Sequence, residues 1–233
     1  MRAVIIASVL LAAGPAAAHV SLTSGPAAAN KSQKITFGVG HGCHIGGIDA
    51  DTYKVRVDIP AGVDPAGVRA FTSDFGKPKM IRDTANAIIA VEWQKPLADL
   101  QDDEDTQYYE ISIRAKVTDV PFTQVKWDVH QTCRTTAGTE LTVDWTEAPG
   151  GTGNTSPMMS VVPSRTTGWN KFVLPATVAE ADVPKYFGDA LIAWRGTAAY
   201  SSNPNTAAMI ATTAGVTALA GDLQAGDEIW VRY

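Results

Sequence analysis

Four histidines, His19, His41, His44 and His130, carry most of the metal chemistry available to this 233-residue chain. His19 directly follows Ala16-Ala17-Ala18, the small-residue pattern at which signal peptidase cuts. A cut after Ala18 makes His19 the first residue of the mature protein. One residue then offers two nitrogens, its free α-amine and its ring, which together can chelate one ion. A nitrogen-rich set suits Cu(II), which favours tetragonal sites. The α-amine has an ordinary pKa of about 7.7–8.0. Copper must displace that proton, so affinity should fall as pH drops.

His41 and His44 lie in the segment Gly40-His41-Gly42-Cys43-His44-Ile45-Gly46-Gly47. They are three residues apart, so a turn can aim both rings at one point, and glycine lets backbone approach a ligand closely. Taken alone they read equally well as solvated loop histidines; with His19 they form a candidate metal set. His130 is out of phase with Val129 and Cys133 and reads as a surface residue. Met158 and Met159 offer soft thioethers suited to Cu(I), but a polar setting gives them little weight.

The elements around these residues follow from the rest of the sequence. Arg2 and the apolar run Ala3 to Ala13, broken by Gly14-Pro15, have the form of a signal peptide over residues 1–18. The run is shorter than the roughly 20 apolar residues of a membrane span, and no later segment approaches that length. The alternatives are an uncleaved anchor or a cut a few residues away. The expected location is periplasmic or secreted, with no membrane span after cleavage. Loss of the signal takes the formal charge from −5 to −6, which gives no electrostatic case for nucleic acid or anionic lipid as partner. Two cysteines, Cys43 and Cys133, read as one disulfide in an exported protein; a thiolate copper site is the competing reading. In the chain-entropy account such a long loop contributes about 4–5 kcal/mol.

Period-two ladders dominate the first half. Ile35, Phe37 and Val39 share a face, as do Tyr53, Val55, Val57 and Ile59, and Tyr109, Ile111, Ile113, Ala115 and Val117. Val125, Trp127, Val129 and Cys133 are in phase, and so are Leu141, Val143 and Trp145; Ala87 to Trp93 is a further apolar run. Turn signals at Pro60-Ala61-Gly62, Asp64-Pro65, Gly76-Lys77-Pro78 and Ala137-Gly138 separate them. The spacing predicts a mainly β fold, an antiparallel β-sandwich over 19–149. Trp127 is a core candidate. Burial also explains Trp145; its functional reading is an aromatic face beside a metal ion. Asp99 to Asp105 reads as a solvated acidic loop, without the spaced ligands of a calcium loop. Residues 150–160, rich in Gly, Ser, Thr and Pro, read as a linker. A small α+β extension follows over 161–233: strands at Lys171 to Leu174, Ala190 to Trp194 and Glu228 to Tyr233, and helices at Ala179 to Phe187, Asn205 to Ala211 and Val216 to Leu223.

The order of several short pieces resembles the YcnI-like family of exported copper-binding domains: His19-Val20-Ser21-Leu22, Gly40-His41-Gly42-Cys43, Tyr53 to Val63, Gln131-Thr132-Cys133, and Asp144-Trp145-Thr146-Glu147-Ala148-Pro149. The resemblance covers His19 to Pro149. It implies a β-sandwich whose copper is held by the N-terminal histidine, an acidic side chain in the first loop and a nearby tryptophan. His19 matches the first and Trp145 the third. At the acidic position this sequence has His44, so His44 or His41 would take the carboxylate's place, giving a more nitrogen-rich site.

The leading expectation is an exported copper binder that holds Cu(II) for trafficking or sequestration and passes it to a periplasmic or membrane copper-handling partner, with no bond made or broken in a substrate. One alternative is a copper-dependent polysaccharide oxygenase, for which a second imidazole such as His44 would complete a three-nitrogen set. Against it, the sequence presents no distinct aromatic platform, and the motif Ala193 to Tyr200 (AWRGTAAY) suggests no role. The other alternative is a structural or adhesion module with an incidental histidine. No Ser-His-Asp motif, phosphate-binding glycine loop or zinc-type cysteine pairing is present.

Overall fold

The computed structural model describes residues 19–45, 48–101, 107–117 and 119–233. The expected export signal (1–18), Gly46-Gly47 and most of the acidic loop (102–106) lie outside them. Among the described residues no helix is long and apolar enough to cross a membrane.

The fold is mainly β. One sheet of four antiparallel strands runs in the order Ser21–Leu22, Ser32–Val39, Tyr109–Val117 and Val63–Ala70. Facing it is a seven-stranded sheet centred on Ile48–Asp58, with Val129–Arg134, Glu140–Glu147 and Asn154–Thr155 to one side, and Ile88–Gln94 and Lys79–Arg82 to the other. Cys43–Ile45 pairs with the start of the central strand. The core follows from strand alternation, which sends every second side chain to the same face. Ile35, Phe37 and Val39 meet Ile111 and Ile113 along one sheet and Val55, Val57, Trp93 and Val129 on the other, all of them buried. Phe37 meets Trp127 edge to face at 5.4 Å. Trp127 is thus core, as its phase implied.

Three expectations change. Residues 150–160 carry strands rather than a linker. Asn154–Thr155 extends the large sheet in parallel with Glu140–Glu147, and Met158–Val162 pairs with Thr123–Lys126 and, in parallel, with Ala27–Ala28. The glycines of 150–153 make the turn; Met158 to Val162 is apolar enough to be a strand, and Met159 and Val161 enter the core. Asp64-Pro65 does not end a strand. It sits in an irregular stretch of Val63–Ala70, where the pairing register shifts between Asp64 and Arg69, the kind of place where a proline is tolerated. Val216 to Leu223 is extended, not helical: Thr217–Ala218 pairs in parallel with Ala198–Tyr200, and Leu223 bridges Val178.

The C-terminal part is a five-stranded sheet with two helices. Trp169–Val173, Glu228–Arg232, Ile192–Arg195, Ala198–Tyr200 and Thr217–Ala218 lie side by side in that order. The helix Val183–Phe187 begins at a proline position suited to a first turn. Pro204–Thr212 is capped by Asn203, whose side chain accepts from the backbone N–H groups of Asn205 and Thr206. Beneath the sheet lies a second core of Leu174, Tyr186, Phe187, Leu223, Ile229 and Val231. The sandwich contributes Phe122 and Val162 to that core. The Phe122 ring lies 5.7 Å from each of Tyr186 and Phe187 and 5.9 Å from Phe172.

Candidate metal centre

His19 is held in place by the residues that follow it. Val20 is buried in the sandwich core, and Ser21 and Leu22 pair with Gly38 and Phe37. The His19 ring itself is exposed. It meets the Trp145 indole edge to face, with centroids 5.5 Å apart and planes at 65°.

Trp145 is on Glu140–Glu147, opposite Val129. It faces inward and is 3% exposed, and its Nε1 is buried with no hydrogen-bond partner. Its backbone lies against Ser156, whose Oγ is 3.1 Å from the Trp145 carbonyl and 2.8 Å from Asp128 Oδ1 and donates its one proton to one of these two acceptors. Trp145 is a core side chain, as its phase implied, and it also borders His19.

His41 stands on a pinned loop. Its carbonyl accepts from Thr52 Oγ1 at 3.0 Å and from the buried Gln131 Nε2 at 2.9 Å, and its Nδ1 donates to the Gly42 carbonyl at 2.6 Å. Cys43 is disulfide-bonded to Cys133, with Cα atoms 5.9 Å apart across a sequence separation of 90. The bond ties this loop to the strand Val129–Arg134.

His44 goes elsewhere. Alternation along Cys43–Ile45 sends it to the face opposite the buried Cys43, where its Nδ1 pairs with the Asp49 carboxylate. Cys133, which anchors that strand, is four residues from Val129, the residue level with Trp145. At ~3.3 Å per residue this puts the His44 strand roughly 13 Å from Trp145's level. The structure therefore brings His19 and Trp145 together, holds His41 on the loop pinned by Thr52 and Gln131, and leaves His44 with Asp49. Among the described residues no group of three or more His, Cys, Asp or Glu side chains is placed to hold a metal ion. At His19 the donors are its imidazole and, when the chain begins there, its α-amine, with the indole alongside. Two nitrogens on one residue are a donor set of the kind that suits Cu(II), with further coordination positions left open.

His130 faces outward, as its phase implied. Its Nδ1 is 2.6 Å from Asp144 Oδ1 and its Nε2 is 3.4 Å from Asp58 Oδ2. Met159 is core, and Met158 is half-buried at its edge.

None of the curated proteins matches the chain. Among solved structures, an uncharacterized protein from Nocardia farcinica with an immunoglobulin-like fold is 17% identical over 61% of this chain and 97% of its own, with a TM-score of 0.49. The 35 kDa C-terminal fragment of the major pilin of Streptococcus agalactiae is 11% identical over 70% of this chain and 64% of its own, with a TM-score of 0.34. The family model described as a domain of unknown function, DUF1775, matches residues 19–163, which take in the sandwich, its disulfide and the His19–Trp145 pair, and the chain belongs to that family, the YcnI-like domain.

Proposed function

We propose that this is an exported copper-binding protein that holds Cu(II) through His19 at its mature N-terminus, for trafficking or sequestration. The observation that carries the reading is the edge-to-face contact of an exposed His19 ring with a buried indole that has no other polar partner. Val20 and the short strand after it hold the chelating residue at a fixed place on the sandwich, so the ligand is preorganised rather than dangling. His19 is open to solvent, so an incoming donor from a copper-handling partner can displace the ion by ligand exchange. The indole shields one side of the cation and interacts with it through its π face. The oxygenase alternative draws less support, because its third nitrogen would be His44 and that ring is paired with Asp49.

The test begins with N-terminal sequencing of the exported protein, followed by Cu(II) titration. Protein beginning at His19 should bind one Cu(II). His19→Ala, which removes the imidazole, or one extra alanine ahead of His19, which moves the α-amine off the chelating residue, should each weaken binding about a hundredfold or more, since either breaks the two-donor chelate (each tenfold being about 1.4 kcal/mol). Trp145→Phe should shift the copper absorption spectrum, and His44→Ala should leave affinity nearly unchanged. Undiminished binding by the His19 variant would refute the proposal.

A further inference from the structure

The C-terminal sheet buries one face and presents three tryptophans on the other. Trp169 is 51% exposed and Trp230 is 46% exposed, with Trp194 half-buried beside them. They are three of the chain's six tryptophans, on three adjacent strands. Trp194 is directly opposite Trp230, and Trp169 is opposite Arg232, diagonal to Trp230. Together with Gly196 and Glu228 they line a cavity of about 750 Å³, within the usual range for ligand sites. Gly196 has φ of 57°, and nothing stands within 4 Å of where its Cβ would be. The turn after Trp194 therefore leaves the rim of the cavity open.

Large exposed indoles gathered in a concavity mark a binding surface rather than a core. The polar groups among them limit the ligand. Lys171 Nζ pairs with Glu228 Oε1 at 2.6 Å across the strands and lies 5.8 Å from the Trp230 ring centroid. This pair cancels its own charge. Arg232, exposed and opposite Trp169, adds one cation, well short of the cluster that an anionic lipid surface or a nucleic acid requires, and the chain as a whole is acidic. Three strands are spanned at ~4.8 Å spacing, so the indoles extend over about 10 Å, room for two ring-sized units in succession. An uncharged ring with an apolar C–H face and a hydroxyl rim satisfies both features. Its C–H edge dipoles complement the negative π faces, and its hydroxyls can meet the Glu228 carboxylate, the Lys171 ammonium and the indole N–H donors.

We propose that this face is a carbohydrate-binding site for an uncharged pyranose glycan stacked on Trp169, Trp194 and Trp230. It is distinct from His19 and independent of copper. The motif Ala193 to Tyr200, which has no role as sequence, supplies Trp194 and the Gly196 turn. The aromatic platform is built by pairing strands from separate parts of the chain.

The experiment uses the full chain in pull-down on cellulose, chitin and β-1,3-glucan, then calorimetry with the hexasaccharide of whichever is retained. Retention on at least one is expected. Trp169→Ala and Trp230→Ala should each weaken binding roughly tenfold with circular dichroism and melting unchanged, because both side chains are exposed. Trp230→Tyr, which keeps an aromatic face, should restore part of the affinity. Removing copper with a chelator should change nothing. Failure to bind all three polysaccharides overturns the proposal, as does binding undiminished in both alanine variants. Retention on phosphatidylcholine vesicles alone overturns it in favour of a membrane face. A dimer dispersed by Trp230→Ala without glycan binding overturns it in favour of self-association.

Discussion

A single buried cation shows how little of a side chain's environment is written next to it. Lys95 is 5% exposed and Asp51 fully buried, and Lys95 Nζ donates to Asp51 Oδ1 at 2.8 Å and to the Tyr109 hydroxyl at 2.6 Å. The ammonium also lies 4.2 Å from the Tyr109 ring centroid. Lys95→Ala takes the cation away from a fully buried carboxylate, so it should destabilise the protein by about 3–5 kcal/mol in chemical denaturation. Lys185→Ala, which breaks an exposed pair with Asp182 three residues away, should cost under about 1 kcal/mol. Comparable losses would show that the buried pair is not what holds this end of the sandwich. The Lys95–Asp51 contact joins residues 44 apart, and only the register of the strands sets it. His44 teaches the same lesson. Its place after Cys43 was plain in the sequence, yet which face it took depended on the disulfide burying its neighbour. The burial of Trp145 was legible through its phase in a ladder; its contact with His19 was not, because it joins residues 126 apart.

At the scale of elements, the ladders of the first half gave the strands because alternation is a local signal that one buried face reinforces. Short edge strands such as Ala27–Ala28, Asn154–Thr155 and Thr217–Ala218 carried no such signal, since two residues cannot show a period. They exist because a neighbouring strand offers unpaired N–H and C=O groups. The C-terminal strands were visible separately, but the gathering of Trp169, Trp194 and Trp230 was not, because it needs the order of the sheet. The helix Val183–Phe187 makes its own prediction. Burial, and after it the charge of Asp182, raises the Tyr186 pKa above its ordinary value. The folded state therefore holds that proton more tightly than the unfolded chain. The resulting stability is complete below the unfolded pKa of about 10 and is lost as pH rises beyond it toward the folded value. Denaturation midpoints measured at pH 9 and pH 11 should fall further for the wild type than for Tyr186→Phe. Equal falls would place the alkaline sensitivity elsewhere.

Across the whole molecule, the sandwich and the C-terminal sheet share side chains rather than a tether. Phe122 belongs to the sandwich, where its N–H donates to the Val161 carbonyl at 2.8 Å, yet its ring fills the other core. Its φ of 61° is in the left-handed region, a conformation that costs a bulky residue about 1–3 kcal/mol and persists only where the surroundings enforce it. Phe122→Ala should destabilise the C-terminal part by about 3–5 kcal/mol and separate its melting from that of the sandwich, read by the fluorescence of Trp169 and Trp230. A single unchanged transition would mean that the two cores cohere without it. Because the plug comes from the turn just ahead of Thr123–Lys126, the ribosome delivers the plug first and the socket last. A transplanted copy of the final seventy or so residues would carry an unfilled hole in its middle.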